Sequence, residues 1–209
     1  MFEKILVANR GEIALRVIRA AKEMGIRTVA VYSTVDVNAL HVRFADEAVC
    51  IGPAQATQSY LAIPNVISAA EITGVDAIHP GYGFLAENIA FAKAVRGHGM
   101  TFIGPDPEHL GTFGDKLSAK AAARAAGVPL IPGSDGAVDD VEEASVVAKQ
   151  IGYPIMPKAA FGGGGKGMRV VEDEAGLRKV FELTSAEALA AFGNGAVFME
   201  RFLPSPRHI

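Results

Sequence analysis

Two lysines bracket the chemically most suggestive stretch of the chain, "KAAFGGGGKGM" at residues 158–168. Gly162–Gly165 form a run with no side chain to hold backbone N–H groups away from a ligand, and Lys158 brings a cation to the same place. Converging amides and an ammonium group suit the oxygens of a polyphosphate. Several loop types do this, and the flanking residues separate them. The letters contain G-x-G-x-x-G at Gly162, Gly164 and Gly167, but a dinucleotide loop opens a helix whose N-terminus faces the pyrophosphate. Here the loop leads into "MRVV", which reads as a strand. The P-loop spacing fails as well: Ala160 stands where its first glycine belongs, and Gly167 replaces the Ser/Thr after the lysine. A glycine-rich hairpin between antiparallel strands remains. It is either a lid that closes over a nucleotide, with Lys158 at its base, or a plain surface hairpin with an incidental lysine. These residues alone leave both open.

Such a loop needs elements to hold it. "KILVA" at 4–8 is a short apolar run of the kind covered on both faces of a sheet. "GEIALRVIRAAKEMG" has helical spacing and a glycine C-cap at Gly25. "RTVAVYS", "EAVCIG", "VDAIHP" and "MTFIGP" read as further strands, separated by the helices "SYLAIPNVISAAEITG" and "AENIAFAKAVRGHG". This alternation predicts right-handed crossovers and an N-terminal doubly wound parallel sheet, Rossmann-like, through about residue 104. An Ala-rich helical segment follows, then the Pro/Gly punctuation "VPLIPGSDG" typical of a boundary. Beyond it a helix, "YPIMPKAA", the glycine loop, "GMRVV", a long helix and "GAVFMERFL" predict a small α+β subdomain.

Composition narrows the function classes. Half the 209 residues are hydrophobic and the mean hydropathy is +0.25, enough for buried cores and against wholesale disorder. A net charge of -3 provides no field for gripping nucleic acid. No apolar run is long enough to span a membrane. The single Cys50 sits in an apolar run that reads as a buried strand, and a reduced, cytoplasmic setting is expected.

Several segments in order resemble biotin carboxylase, the ATP-grasp enzyme of the biotin-dependent carboxylases. They are "KILVANRGEIAL" at 4–15, "HPGYGFLAEN" at 79–88, "FIGP" at 102–105, "GDK" at 114–116, "GVPLIPGSDG" at 127–136, "KAAFGGGGKGMRVV" at 158–171 and "MERFLPSPRHI" at 199–209. The resemblance covers the whole chain. It implies a biotin carboxylase N-terminal (pre-ATP-grasp) domain at 1–113, a helical linker at 114–130, an ATP-grasp lid subdomain at 131–204, and at 205–209 the start of a remainder that is missing. The activity implied is ATP-dependent carboxylation of carrier-bound biotin by bicarbonate through carboxyphosphate. Implied partners are ATP, bicarbonate, a biotin carboxyl carrier protein or domain, a carboxyltransferase and a second copy of the chain. Magnesium is implied too, with its ligands beyond Ile209.

Position by position, the resemblance makes Lys116 and Lys158 contacts to ATP phosphates and places Gly164 and Gly165 in the lid. Glu200, Arg201, Phe202 and Leu203 match the strand and hinge that hold adenine, largely through backbone groups, and His208 matches a nucleotide-site histidine. Each has a plainer alternative. Lys116 opens a helix, where a cation is slightly unfavourable against the dipole, so its presence favours a functional role. Arg201 suits a solvent-facing strand position, and His208 is next to the last residue. His79 and Glu87 lie beyond a strand end, where α/β sheets bind ligands, but a turn-forming role serves them at least as well. Arg16, Arg19 and Glu23 suit either a dimer surface or an exposed ion-paired helix face.

Two features depart from the resemblance. Pro157 stands where an apolar residue with an amide is usual; proline removes a ladder donor, and ending the strand one residue early would re-aim Lys158. The family also continues well past "PRHI", so the 209-residue chain is expected to be a fragment that does not carboxylate biotin alone. Another ATP-grasp ligase and a non-catalytic assembly fragment are the alternatives. "ANRGEIA" and "HPGYGFLAEN" favour biotin carboxylase over the other ligases.

Overall fold

The structure is a computed structural model that describes residues 1–159 and 169–207, without the side chains of Lys116, Leu117, Ala191 and Phe192. The chain divides into two compact units, Met1–Gly114 and Asp115–Ile209.

The first unit alternates strand and helix. Strands β1 (Lys4–Val7), β2 (Arg27–Ser33), β3 (Glu47–Gly52), β4 (Ala77–His79) and β5 (Thr101–Phe102) form a parallel sheet in the order β3-β2-β1-β4-β5. Helices α1 (Gly11–Glu23), α2 (Leu40–Phe44), α3 (Ile63–Thr73), α4 (Ile89–Gly97) and α5 (Pro107–Gly114) connect and follow the strands. The apolar runs occupy the centre: Ile5, Leu6, Val7, Val29, Ala30 and Val31 are all buried. Leu6, Val29 and Ile78 pack with Phe91 and Val95 of α4, while Val7 and Ala30 meet Ala14 and Ile18 of α1. Helices on both faces explain why these strands carry no polar alternation. Helix ends follow their local signals: Gly74 closes α3 in the left-handed conformation, and Asn88 caps α4 by accepting from the Phe91 amide.

One expectation is corrected here. Cys50 is exposed, not buried. Strand β3 is at the sheet edge with a neighbour on one side only, and among its residues only Ile51 is buried. Covering an edge strand on one face suffices to bury alternate residues at most.

The second unit holds α6 (Lys116–Ala125), α7 (Val141–Ile151), β6 (Ile155–Ala159), α8 (Glu174–Phe192) and β7 (Val197–Arg201). Three helices begin the same way: Asp115, Asp140 and Asp173 accept from the amides of Ser118, Glu143 and Gly176. Strands β6 and β7 pair antiparallel, and their inward side chains Ile155, Val197 and Met199 pack with Ala144, Ala148 and Ile151 of α7 and Leu177 and Phe181 of α8. The expected strand "GMRVV" is reduced, within its described residues, to one bridge in which Val171 and Ile155 exchange amide bonds of 2.9 and 2.8 Å. The chain must leave the ribbon at once, because Asp173 already caps α8.

Pro157 does not end its strand. Strand β6 runs on to Ala159, with Pro157 opposite Met199 and Lys158 opposite Phe198. Ile155 turns its N–H and C=O toward Val171, away from β7, and Pro157, two residues on, points its backbone the same way. The missing N–H therefore removes no bond from the β6–β7 ladder.

Candidate ATP-binding site

The side chains of Lys158 and Glu200 meet on the outer face of the β6–β7 ribbon. Successive strand residues point to opposite faces, so Met156 and Lys158 share a face with their partners Glu200 and Phe198. Lys158 Nζ lies 2.5 Å from Glu200 Oε2, a diagonal pair across the ribbon. A second lysine, Lys120 of α6, places its Nζ 2.8 Å from Glu200 Oε1 and 3.8 Å above the Phe198 ring. The Glu200 side chain is only 8 % exposed, against 18 % and 24 % for Lys120 and Lys158. Burial pushes the Glu200 carboxyl up, but hydrogen bonds and charge from Lys120 and Lys158 outweigh it and hold the group below the usual carboxylate range. The cluster thus carries two cations on one carboxylate in a poorly hydrated corner. A net positive charge there favours an incoming anion.

The backbone brings these groups together by close approach at Gly133. Residues 132–134 run beside β7: the Ser134 amide donates to the Met199 carbonyl at 2.8 Å and the Arg201 amide to the Pro132 carbonyl at 2.8 Å. A Cβ on Gly133 would lie 2.6 Å from the Met199 carbonyl oxygen and 3.2 Å from both Glu200 Cγ and Lys120 Nζ. Only glycine fits between the ribbon and α6 there.

The remaining expected site residues fall in different places. Arg201 is exposed, on the face of β7 opposite Glu200. The Phe202 amide donates to the Pro154 carbonyl at 2.9 Å. Leu203 is 44 % exposed just past the strand, and of the three amides at 201–203 only its own has no protein partner among the described residues. Lys116 is the first residue of α6, directly after the Asp115 cap. Gly164, Gly165 and His208 lie outside the described residues. Lys120 escaped the reading of the sequence, although its position one turn beyond Lys116 on an Ala-rich helix was a usable signal. A cavity of about 660 Å³ in the same unit is lined by Arg124, Pro132, Asp135, Glu143 and Gln150, not by Lys158 or Glu200. Among the described residues no group of three or more His, Cys, Asp or Glu is placed to hold a metal ion.

In the first unit, the segments "ANRGEIA" and "HPGYGFLAEN" meet at the carboxyl ends of β1 and β4, where the strand order reverses. Asn9 Nδ2 donates to the carbonyls of Pro80 (2.8 Å) and Tyr82 (2.7 Å). Gly81 has φ +65°, and a Cβ on it would strike Asn9 Nδ2 at 2.8 Å. The Tyr82 hydroxyl donates to Glu12, and Phe84, also at positive φ, stacks on Tyr60 with ring centroids 5.2 Å apart. Tyr60 in turn donates to the buried Asp36 at 2.7 Å, which also accepts from Ser33 and Arg10. His79 accepts from the Gly81 amide at 3.0 Å through Nδ1, and burial holds its pKa below the ordinary value. Its role here is to shape the turn. Loop 80–88 is therefore fixed at its base, while Tyr82 stays 60 % exposed beside a cavity of about 470 Å³ that Glu87, His109 and Phe113 help to line.

Residues 1–110 match the family model described as "Biotin carboxylase, N-terminal domain". The chain belongs to that family. Residues 115–209 match a second model, "Carbamoyl-phosphate synthase L chain, ATP binding domain". Across its whole length the chain is 60 % identical to a biotin carboxylase of Pseudomonas aeruginosa, covering 47 % of that protein. It is 56 % identical over 99 % of its length to a chloroplastic biotin carboxylase of Arabidopsis thaliana, covering 38 % of it. Among solved structures, a biotin carboxylase complex with β,γ-ATP from Campylobacter jejuni superposes with a TM-score of 0.86 at 51 % identity, over 99 % of this chain and 46 % of that one. The biotin carboxylase domain dimer of Hydrogenobacter thermophilus 2-oxoglutarate carboxylase, with MgADP, ADP and bicarbonate, gives 0.82 at 49 % identity, over 98 % and 45 %. The chain spans about half the length of the curated relatives it matches. Loop 80–88 thus lies in the part that matches the biotin carboxylase N-terminal model, and the paired lysines lie in the part that matches the ATP-binding-domain model.

Proposed function

We propose that this chain supplies the ATP-contacting part of a biotin carboxylase, which activates bicarbonate with ATP as carboxyphosphate and passes the carboxyl group to biotin N1. The observation that carries this reading is the placement of Lys158 and Lys120 around Glu200 within the segment similar to an ATP-binding domain. Lys158, with Lys116 at the start of α6, would neutralise phosphate oxygens as charge moves onto the transferred phosphoryl group. Gly164 and Gly165, in the lid that the resemblance implies, would add backbone amides. From the end of β7, adenine would lie along Glu200–Leu203, where the Leu203 amide, without a protein partner among the described residues, is a ready donor, and His208 would adjoin the nucleotide. Magnesium would enter with the triphosphate.

In the same reading, 1–113 is the N-terminal domain and 131–204 the lid subdomain, joined by the helical segment 114–130. The parent protein acts on carrier-bound biotin, delivers it to a carboxyltransferase, pairs with a second copy and works in the cytoplasm. No described helix is long and apolar enough to cross a membrane. The 209 residues alone are expected to bind ATP through the Lys158–Glu200–Lys120 cluster.

Calorimetric titration with Mg-ATP tests the reading. Saturable binding is expected, weakened about tenfold or more by Lys158→Ala, in line with losing a charge-assisted phosphate contact. Absence of binding, or binding indifferent to Lys158, would sink it. A protein of the relatives' full length should form carboxybiotin from biotin, bicarbonate and ATP.

A further inference from the structure

Glu200 holds both lysines at once, and that raises a question of charge when Lys158 turns to a phosphate. Its carboxylate is 8 % exposed and faces Lys158 from β6 and Lys120 from α6; residues 132–134, which pack beside it, bring no charge. A buried carboxylate stripped of its last counter-ion is strongly disfavoured, and removing one partner of a buried pair is among the costliest single changes. With Lys158 as sole partner, Glu200 would have to take up a proton when the lysine left. Lys120 removes that need. It bonds the other carboxylate oxygen, and its own position is fixed by the Phe198 ring beneath it.

Resting on the nucleotide reading above, we propose that Lys120 is a positioning residue that stays on Glu200 as counter-ion so that Lys158 can exchange the carboxylate for a nucleotide phosphate without a change of protonation. Lys120 need not touch the nucleotide. It keeps Glu200 ionised and in place in the free and the bound state, so that one carboxylate parks Lys158 before binding and releases it cheaply afterwards.

The test is Mg-ATP binding to the 209-residue chain at pH 8, where the nucleotide phosphates are fully ionised, in buffers of different ionisation enthalpy. Wild type should bind with little proton uptake. Lys120→Met keeps the apolar stem over Phe198 and removes the charge. It should weaken binding about tenfold or more and add uptake of up to about one proton, with affinity improving as pH falls. Lys120→Arg should restore proton-neutral binding. A merely structural role for Lys120 would lower stability without proton uptake, so thermal unfolding is recorded for each variant. If Lys120→Met binds like wild type, or more weakly but with no proton uptake, the exchange is refuted while the nucleotide site stands. If wild type itself does not bind, the site reading falls and the exchange with it.

Discussion

His41 shows how far a single side chain can depend on burial. Its ring is 1 % exposed, Nε2 lies 3.2 Å from the Val31 carbonyl, and Nδ1 has no partner among the described residues. Burial lowers its pKa below 6.5, and Arg10 adds to this, while the Val31 carbonyl and Asp36 work against it. The sign follows directly. Below about pH 6.5 the unfolded chain takes up a proton that the folded ring refuses, so stability falls with falling pH until the lowered folded pKa is passed. The slope inside that window is at most ~1.4 kcal/mol per pH unit. Urea unfolding between pH 5 and 8 should show a steeper loss for wild type than for His41→Gln, which keeps a donor for Val31 but cannot titrate. Equal slopes would mean that His41 titrates as in a free peptide. Lys158 was singled out beside the glycine run and Glu200 by the resemblance, whereas the bond between them and the intervention of Lys120 came only from the structure.

Among the elements, the β6–β7 ribbon carries the site, and Pro157 is its informative residue. From sequence the proline threatened the strand and the aim of Lys158. The register shows why it does not: Pro157 directs its backbone nitrogen away from β7, so the ladder keeps its bonds and Lys158 keeps its face. Pro157 is buried on the inward face of the ribbon, so the larger isoleucine of Pro157→Ile is expected to cost no more than about 1–3 kcal/mol by overpacking, with the ladder intact. Mg-ATP affinity should stay within about twofold of wild type, since the strand that aims Lys158 is unaltered. A larger loss in either measurement would show that the proline shapes the strand after all. The strand expected at "GMRVV" failed for a related reason. A period of alternating residues does not reveal that the next helix cap, Asp173, begins too soon for a ladder to extend.

At the scale of the molecule, each unit encloses its own core, and the candidate nucleotide residues all lie in the second. Hydrogen exchange on the whole chain, with and without Mg-ATP, should therefore protect amides of β6 and β7 and leave β1, β2 and β4 unchanged. Saturation at 100 times Kd is worth about 2.7 kcal/mol of protection where opening releases the ligand. Protection confined to the first unit would place the nucleotide elsewhere. The segments "ANRGEIA" and "HPGYGFLAEN" of the first unit have a different use, since Asn9 holds loop 80–88 by its Pro80 and Tyr82 carbonyls and Tyr60 holds it by the Phe84 ring.

The sequence by itself determined the alternation of strands and helices, the parallel sheet, the glycine that closes the first helix and the family. These follow from hydrophobic period, capping residues and local letters, all of which act between near neighbours. Only the tertiary structure decided that Lys120 shares Glu200 with Lys158, that Pro157 is harmless, that Cys50 is exposed and that Asp36 gathers Arg10, Ser33 and Tyr60. Each of these depends on which strand lies at an edge, which way a backbone group turns and which distant residues close on one another. Such facts arise from packing across the chain, and no local pattern encodes them.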